Sequence, residues 1–199
     1  SFRKISIIVF GMMLQMINML NIKMRSSYKK NNYDKVFQTL CFAYRPRLIV
    51  EFGILDGYSL DSFVKNAKDC KIEAYDLFDD FPYNAADRKE MLKKYENNYN
   101  VSILKGDFYE SLHLFRDDSI DILHIDIANN GDTYEFAIEN YLTKVKGIMV
   151  LEGGSEERDN VEWMQKYEKP KIQSVLKKYS NDVRITVLED YPSITLIQK

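Results

Sequence analysis

The sequence predicts an α/β protein: a doubly wound, mostly parallel seven-stranded sheet with a C-terminal antiparallel hairpin and an added N-terminal helix. Three observations carry this expectation. The run Leu48-Ile-Val-Glu-Phe52 is apolar almost throughout and is closed by Gly53 and Gly57, as a strand covered on both faces should be. Strand-like stretches then alternate with helix-like ones, the pattern of parallel strands joined by crossover helices. The last two strand-like stretches are separated only by Glu189-Asp-Tyr-Pro192, a linker so short that they must pair antiparallel.

Composition bounds the function. A chain of 199 residues with 45% apolar content fits one domain with its own core. A net charge of −2 and a pI of about 5.8 give no electrostatic footprint for nucleic acid, so that partner class is set aside. The 13% aromatic content suits a packed core and identifies no ligand. Two cysteines, Cys41 and Cys70, cannot make a disulfide framework. Both read as buried free thiols in a reducing compartment, and a cytoplasmic location is expected.

Residues 1–32 are expected to form an amphipathic helix and a linker, with the main domain over 33–199. Ile5 to Met24 is the most apolar stretch and follows Arg3 and Lys4. Its interruptions at Gly11, Gln15, Asn18 and Arg25 fall at helical intervals and make a narrow polar stripe. A membrane span tolerates few such groups, and no small-residue cleavage site follows. The helix is therefore expected to pack on the domain or on a second subunit of a homodimer, with a membrane-surface anchor as the alternative. Lys23 to Asn32 reads as a polar, basic linker.

Tyr33 to Tyr44 carries Val36, Phe37, Leu40 and Cys41 at helical spacing, and Pro46 ends it. After the glycine turn a helix is expected from Ser59 to Ala67. A second strand, Lys71 to Tyr75, delivers Asp76. Phe81-Pro-Tyr83 breaks the chain before a charged helix, Ala85 to Glu96. Val101 to Leu104 is the third strand and ends at Gly106-Asp-Phe108. Ser119 to Asp126 and Lys146 to Glu152 are the fourth and fifth, with a helix from Thr133 to Leu142 between them. Asp159 to Tyr179 reads as helix with a break at Pro170. Val183 to Leu188 and Ser193 to Gln198 make the hairpin.

Glycine at positions 53 and 57 permits positive φ and close approach of a ligand to the backbone. A helix opening just after Gly57 aims free N–H groups and the positive end of its dipole at that ligand. This suits a carboxylate or a nucleotide. The spacing is neither Gly-x-Gly-x-x-Gly nor that of a Walker A loop. Asp76 lies about twenty residues beyond Gly57, where doubly wound folds hold a ribose through an acidic side chain; a solvated turn is the alternative. Glu51, Asp76, Asp107, Asp126 and Glu152 all sit at or near predicted strand ends, and ligands of open α/β sheets bind outside those ends. Such a gathering of acids is costly unless it holds hydroxyls or a cationic centre.

The pattern Glu51-Phe-Gly53…Gly57-Tyr58-Ser59 resembles the first motif of class I S-adenosylmethionine-dependent methyltransferases, most closely the catechol O-methyltransferase type and the macrocin-type sugar O-methyltransferases. The parallel runs from Tyr33 to the C-terminus and implies a Rossmann-like sheet with the closing hairpin. It also implies that Glu51, Gly53, Gly57, Tyr58 and Ser59 take the methionine end of S-adenosylmethionine and Asp76 the ribose. Asp107 with Phe108 would take the adenine, unless Asp107 caps the following helix.

Leu123-His-Ile-Asp126 corresponds to the fourth-strand motif whose Asp faces the reacting centre. In the catechol and macrocin types that Asp binds Mg²⁺, with further ligands after the fifth strand. Asp126 and Glu152 match two ligands, but Gly153 stands where a third belongs. Asn129 replaces the catechol-type lysine base, and Ile127 to Thr133 has no His. Mg²⁺ therefore stays open. Candidate bases are Asp126 and Glu152, with His124 behind them because it reads equally as a hydrogen-bonded core residue. Glu156, Glu157, Arg158 and Asp159 would line an acceptor pocket or cap the next helix, and Trp163 would line the pocket or join the core. The expected function is methyl transfer to a small polar acceptor, first of all to oxygen. The alternatives are a non-catalytic S-adenosylmethionine-binding protein and an N-methyltransferase.

Overall fold

The structure, a computed structural model, describes residues 26–81 and 84–199. The amphipathic helix expected over Ile5 to Met24 lies outside the described residues.

The seven strands are β1 (Leu48–Phe52), β2 (Lys71–Asp76), β3 (Val101–Lys105), β4 (Ile120–Ile125), β5 (Val145–Glu152), β6 (Arg184–Leu188) and β7 (Ile194–Gln198). They form one sheet in the order β3-β2-β1-β4-β5-β7-β6. β1 to β5 run parallel, and β7 is antiparallel to both β5 and β6. The expected hairpin is present. Its second strand, β7, is the one that inserts against β5.

The chain enters at the middle of the sheet, winds outward through β2 and β3, then returns to lay β4 on the other side of β1. That reversal is the switch point at which open α/β sheets bind ligands.

Both sheet faces are buried, which explains the unbroken apolar runs of the strands. On one face, Phe37 and Leu40 of α1 (Asp34–Tyr44) and Leu60 and Phe63 of α2 (Tyr58–Asn66) pack on Ile49, Ile72 and Ile122. On the other, Tyr134 of α4 (Gly131–Phe136) and Ile172 and Leu176 of α7 (Ile172–Tyr179) pack on Val50, Leu123 and Leu151. Between them come α3 (Arg88–Lys94), α5 (Glu156–Asp159) and α6 (Glu162–Lys166).

Several boundaries differ from expectation, each for a capping reason. The charged helix starts at Arg88, because the Asp87 carboxylate accepts from the N–H groups of Lys89 and Glu90 at 2.8 and 3.0 Å. α4 begins at Gly131 under an Asn130 cap and passes into a π-helical turn over Ala137–Tyr141. The single broken helix expected over Asp159 to Tyr179 is two helices, α6 and α7, preceded by α5, which ends at Asp159. Ser155 caps α5, and the Asp159 carboxylate reaches forward to the N–H groups of Ile172 and Gln173 at 2.8 and 2.9 Å, capping α7 across the Pro170 break.

Residues 27–31, expected to be linker, form a 3₁₀ turn with Tyr28 in the core at 1% exposure. Tyr28 meets Tyr33 and Phe37 edge-on at ring separations of 5.6 and 5.7 Å. Asn31 donates to the carbonyls of Asp190 and Pro192, which ties this turn to the β6–β7 connection. A single aromatic in a polar stretch carries no periodicity, so only its tertiary partners reveal it.

Phe52 sits at the C-terminal end of β1, stacked on Tyr75 at 5.1 Å and edge-on to Phe108 and Tyr141 at 5.3 and 5.6 Å. Phe52→Ala is expected to cost about 3–5 kcal/mol of unfolding free energy. A denaturant titration showing a loss under about 1 kcal/mol would contradict the central role given to this ring cluster.

Candidate active site

A cleft of about 630 Å³ opens along the carboxyl ends of β1, β2, β3 and β4. Five of the residues read from the sequence line it: Gly53, Asp76, Asp107, Phe108 and Asp126. The turn after β1 reaches this position because Gly53 has φ +90°, and any Cβ there would collide with the Asp126 carbonyl. The backbones of β1 and β4 are thus as close as glycine allows. Leu55, which also lines the cleft, is held at φ +50°, a strained conformation for a bulky residue.

Asp76 organises the rim. One carboxylate oxygen accepts from the Ile54 N–H at 2.8 Å; the other accepts from the Phe78 N–H at 2.9 Å and from Asn84 Nδ2 at 2.6 Å. A carboxylate has about four acceptor positions, so roughly one remains for a ligand hydroxyl. Asp107 accepts from the Tyr109 N–H at 2.7 Å, and its carbonyl accepts from the Ser111 N–H at 2.9 Å. The Asp107 side chain therefore closes a local turn; the helix that follows, Ser111–Leu114, is capped at Glu110 without a side-chain hydrogen bond. Phe108 is stacked on Tyr141 at 4.8 Å and 12°, offering the cleft a rigid apolar wall.

The other predicted residues lie elsewhere. Gly57 caps α2 at φ +80°, under the Tyr95 hydroxyl that donates to its carbonyl. Tyr58 turns away and donates to Asp34 at 3.1 Å. Glu51 is fully buried beneath the turn, where it accepts from the Ser59 hydroxyl and from His124 Nδ1 at 2.9 Å. His124 Nε2 in turn shares a hydrogen bond of 3.3 Å with the Tyr28 hydroxyl. Glu51, Ser59 and His124 thus form an internal chain that braces the glycine turn against β4, and none of the three lines the cleft. Glu51 points to the face opposite Phe52 because strand side chains alternate.

Glu152 does not line the cleft either. Arg158 holds both of its oxygens, Nε on one at 2.6 Å and Nη2 on the other at 2.9 Å. Burial raises the Glu152 carboxyl and the Arg158 pairing offsets part of that rise. The pair sets a permanently charged guanidinium against both oxygens, which opposes a metal ion there. Gly153 offers no ligand, and Asn129 is spent on the carbonyls of Ile125 and Glu152, both at 2.9 Å. Among the described residues no group of three His, Cys, Asp or Glu could hold a metal ion. The residues present do not fit Mg²⁺.

Asp126 remains as the fourth-strand carboxylate on the cleft floor. Its pKa is pushed up to about 7, first by burial and then by the charges of Glu152 and Glu51; His124 and a hydrogen bond from Tyr28 oppose the rise. Residues the sequence did not single out complete the cleft, among them Asn84, Tyr109, Asn130, Tyr167 and Lys169. They lie on loops without motif spacing. Trp163, left open between core and pocket, lines the cleft.

Residues 50–151, just over half of the 199-residue chain, match a family model described as a methyltransferase domain. No curated protein matches the chain. The fold is similar to that of the O-methyltransferase TomG of Streptomyces achromogenes, involved in tomaymycin synthesis and solved with S-adenosylmethionine, at TM-score 0.62 and 17% identity over 89% of this chain and 82% of that one. It is also similar to a methyltransferase of Podospora anserina bound to S-adenosylhomocysteine, at TM-score 0.56 and 16% identity over 83% and 76%. An S-adenosylmethionine-dependent O-methyltransferase of Thermotoga maritima matches at TM-score 0.60 and 18% identity over 91% and 69%. With the family match running through the glycine turn and across the sheet switch point, the chain belongs to the methyltransferase-domain family, of the class I S-adenosylmethionine-dependent type.

Proposed function

We propose that the chain transfers the methyl group of S-adenosylmethionine to an oxygen of a small acceptor, and that Asp126 receives the acceptor's proton. The observation that carries this reading is the placement of Asp76, Asp107 and Asp126 along one cleft at the ends of β2, β3 and β4. In it the Gly53–Leu55 backbone takes the methionine end, the free acceptor position of Asp76 takes a ribose hydroxyl, and Asp107 takes the adenine amino group with Phe108 against the ring. The sulfonium methyl then points toward Asp126.

Chemically the step is an in-line displacement. The acceptor oxygen forms a bond to the methyl carbon while the carbon–sulfur bond breaks and its electron pair stays on sulfur. The acceptor hydroxyl proton passes to Asp126, which lines the cleft at the end of β4. A carboxylate with a pKa near neutrality is suited to such a transfer. Most of the rate comes from holding acceptor and methyl aligned, which the rigid strand ends supply.

The free thiols Cys41 and Cys70 are buried, and burial pushes them to about 11 and about 12, which makes both unreactive; that they are unpaired fits a reducing, cytoplasmic setting. No described helix is long and apolar enough to cross a membrane.

Calorimetric titration with S-adenosylhomocysteine is expected to give one-site binding, weakened about tenfold or more in Asp76→Asn. Absence of heat with the unmodified protein would sink the reading. Asp126→Asn separates chemistry from folding. Asp126 binds a proton more tightly folded than unfolded, so its stabilisation is present below the ordinary Asp range and is lost as pH rises toward about 7. At pH 8 the variant should gain on the order of 2–4 kcal/mol of stability. It should also lose the rise in transfer rate near pH 7. A variant that keeps that rise would remove Asp126 as the base.

A further inference from the structure

We infer that this chain works without a divalent cation, and that the Arg158 guanidinium, clamped on the β5 carboxylate, positions the acceptor end of the cleft. The consequence for catalysis rests on the methyltransferase reading above; the binding test does not.

Mg²⁺ requires near-octahedral oxygen ligands with exposed lone pairs. The β5 carboxylate that would supply them is clamped by a planar, permanently charged fork, the geometry that best satisfies both carboxylate oxygens at once. A cation entering beside it would displace or be repelled by the guanidinium. A ligating residue at Gly153 would also be strained, because its φ is +104°, a backbone conformation that L side chains rarely adopt.

Arg158 does more than neutralise Glu152. It is 5% exposed, and its Nη2 also donates to the Asn129 carbonyl at 3.0 Å, fixing the turn between Asp126 and Asn130. Its guanidinium lies 5.1 Å over the Trp163 ring. Nη1 is buried with no protein partner, a spare donor on the same group. Asn130 and Trp163 both line the cleft. One side chain thus couples the β5 carboxylate to two walls of the region facing Asp126. This makes it a positioning residue, because it acts through Trp163 and the 126–130 turn.

The unmodified protein tests the metal claim directly. Mn²⁺ titrated into it, with and without S-adenosylhomocysteine, is expected to remain free by electron paramagnetic resonance, and the heat of S-adenosylhomocysteine binding should be unchanged by EDTA. Stoichiometric Mn²⁺ binding, or loss of that heat in EDTA, would overturn the inference. Normal S-adenosylhomocysteine binding alongside bound Mn²⁺ would leave the methyltransferase reading intact. Trp163 is the chain's single tryptophan and reports the positioning role. Arg158→Ala should red-shift its emission and increase acrylamide quenching, with Arg158→Lys partly restoring both. Unchanged emission in a folded Arg158→Ala protein would refute the positioning role.

Discussion

The architecture depends on the place where β1 and β4 run side by side and their connections part. A parallel strand inserted next to the first one forces the two following turns to leave in different directions, and the gap between them is the cleft. The approach there is so close that the Gly53 backbone lies against the Asp126 carbonyl with no room for a side-chain carbon. The Asp126 N–H donates to the Phe52 carbonyl at 2.8 Å, and the Gly53 N–H donates to the Tyr75 carbonyl at 2.9 Å. Three strand ends are thereby locked in register before any ligand arrives. A cofactor would meet a preformed edge.

Around this edge the protein buries more acid than a core tolerates unaided, and each carboxylate is handled differently. One oxygen of Glu51 accepts from Ser59 and His124, and the other is buried without a hydrogen-bond partner among the described residues. Glu152 is neutralised by a bidentate arginine. Asp76 is absorbed by backbone N–H groups and Asn84. Asp126 lines the cleft, and its upward shift follows from burial beside Glu152 and Glu51. The division explains how neighbouring acids can serve structural and chemical ends in one small volume.

The loops after β4 and β5 show the same economy. Asn129 bridges the carbonyls of Ile125 and Glu152, Arg158 adds the Asn129 carbonyl, and Asp159 caps the helix that follows the Pro170 break. Tyr134 donates to the Glu152 carbonyl at 3.1 Å from the opposite side. These contacts convert what reads as a flexible polar loop into a fixed wall, with Trp163 facing the cleft. On the other rim the 27–31 turn brings Tyr28 against His124, so a stretch read as linker braces the glycine turn from beneath.

The amino-acid sequence by itself determined the strand–helix alternation, the closing hairpin, the glycine turn and the row of acids at strand ends. These depend on local periodicity, on the short connection after Leu188 and on the spacing of residues within single turns. It also placed Gly53, Asp76, Asp107, Phe108 and Asp126 on a common edge, because a parallel sheet puts every strand's carboxyl end there. What each acid is for was decided only by tertiary structure. Glu51 and Asp126 both lie at strand ends, yet side-chain alternation and the register of β1 with β4 turn the first toward His124 and leave the second at the cleft. Arg158, six residues beyond Glu152, and Tyr28, far upstream, acquire their roles through contacts with no sequence period. A pairwise contact between distant segments leaves no pattern along the chain, and burial, which sets the charge of each carboxyl, exists only once the chain has folded.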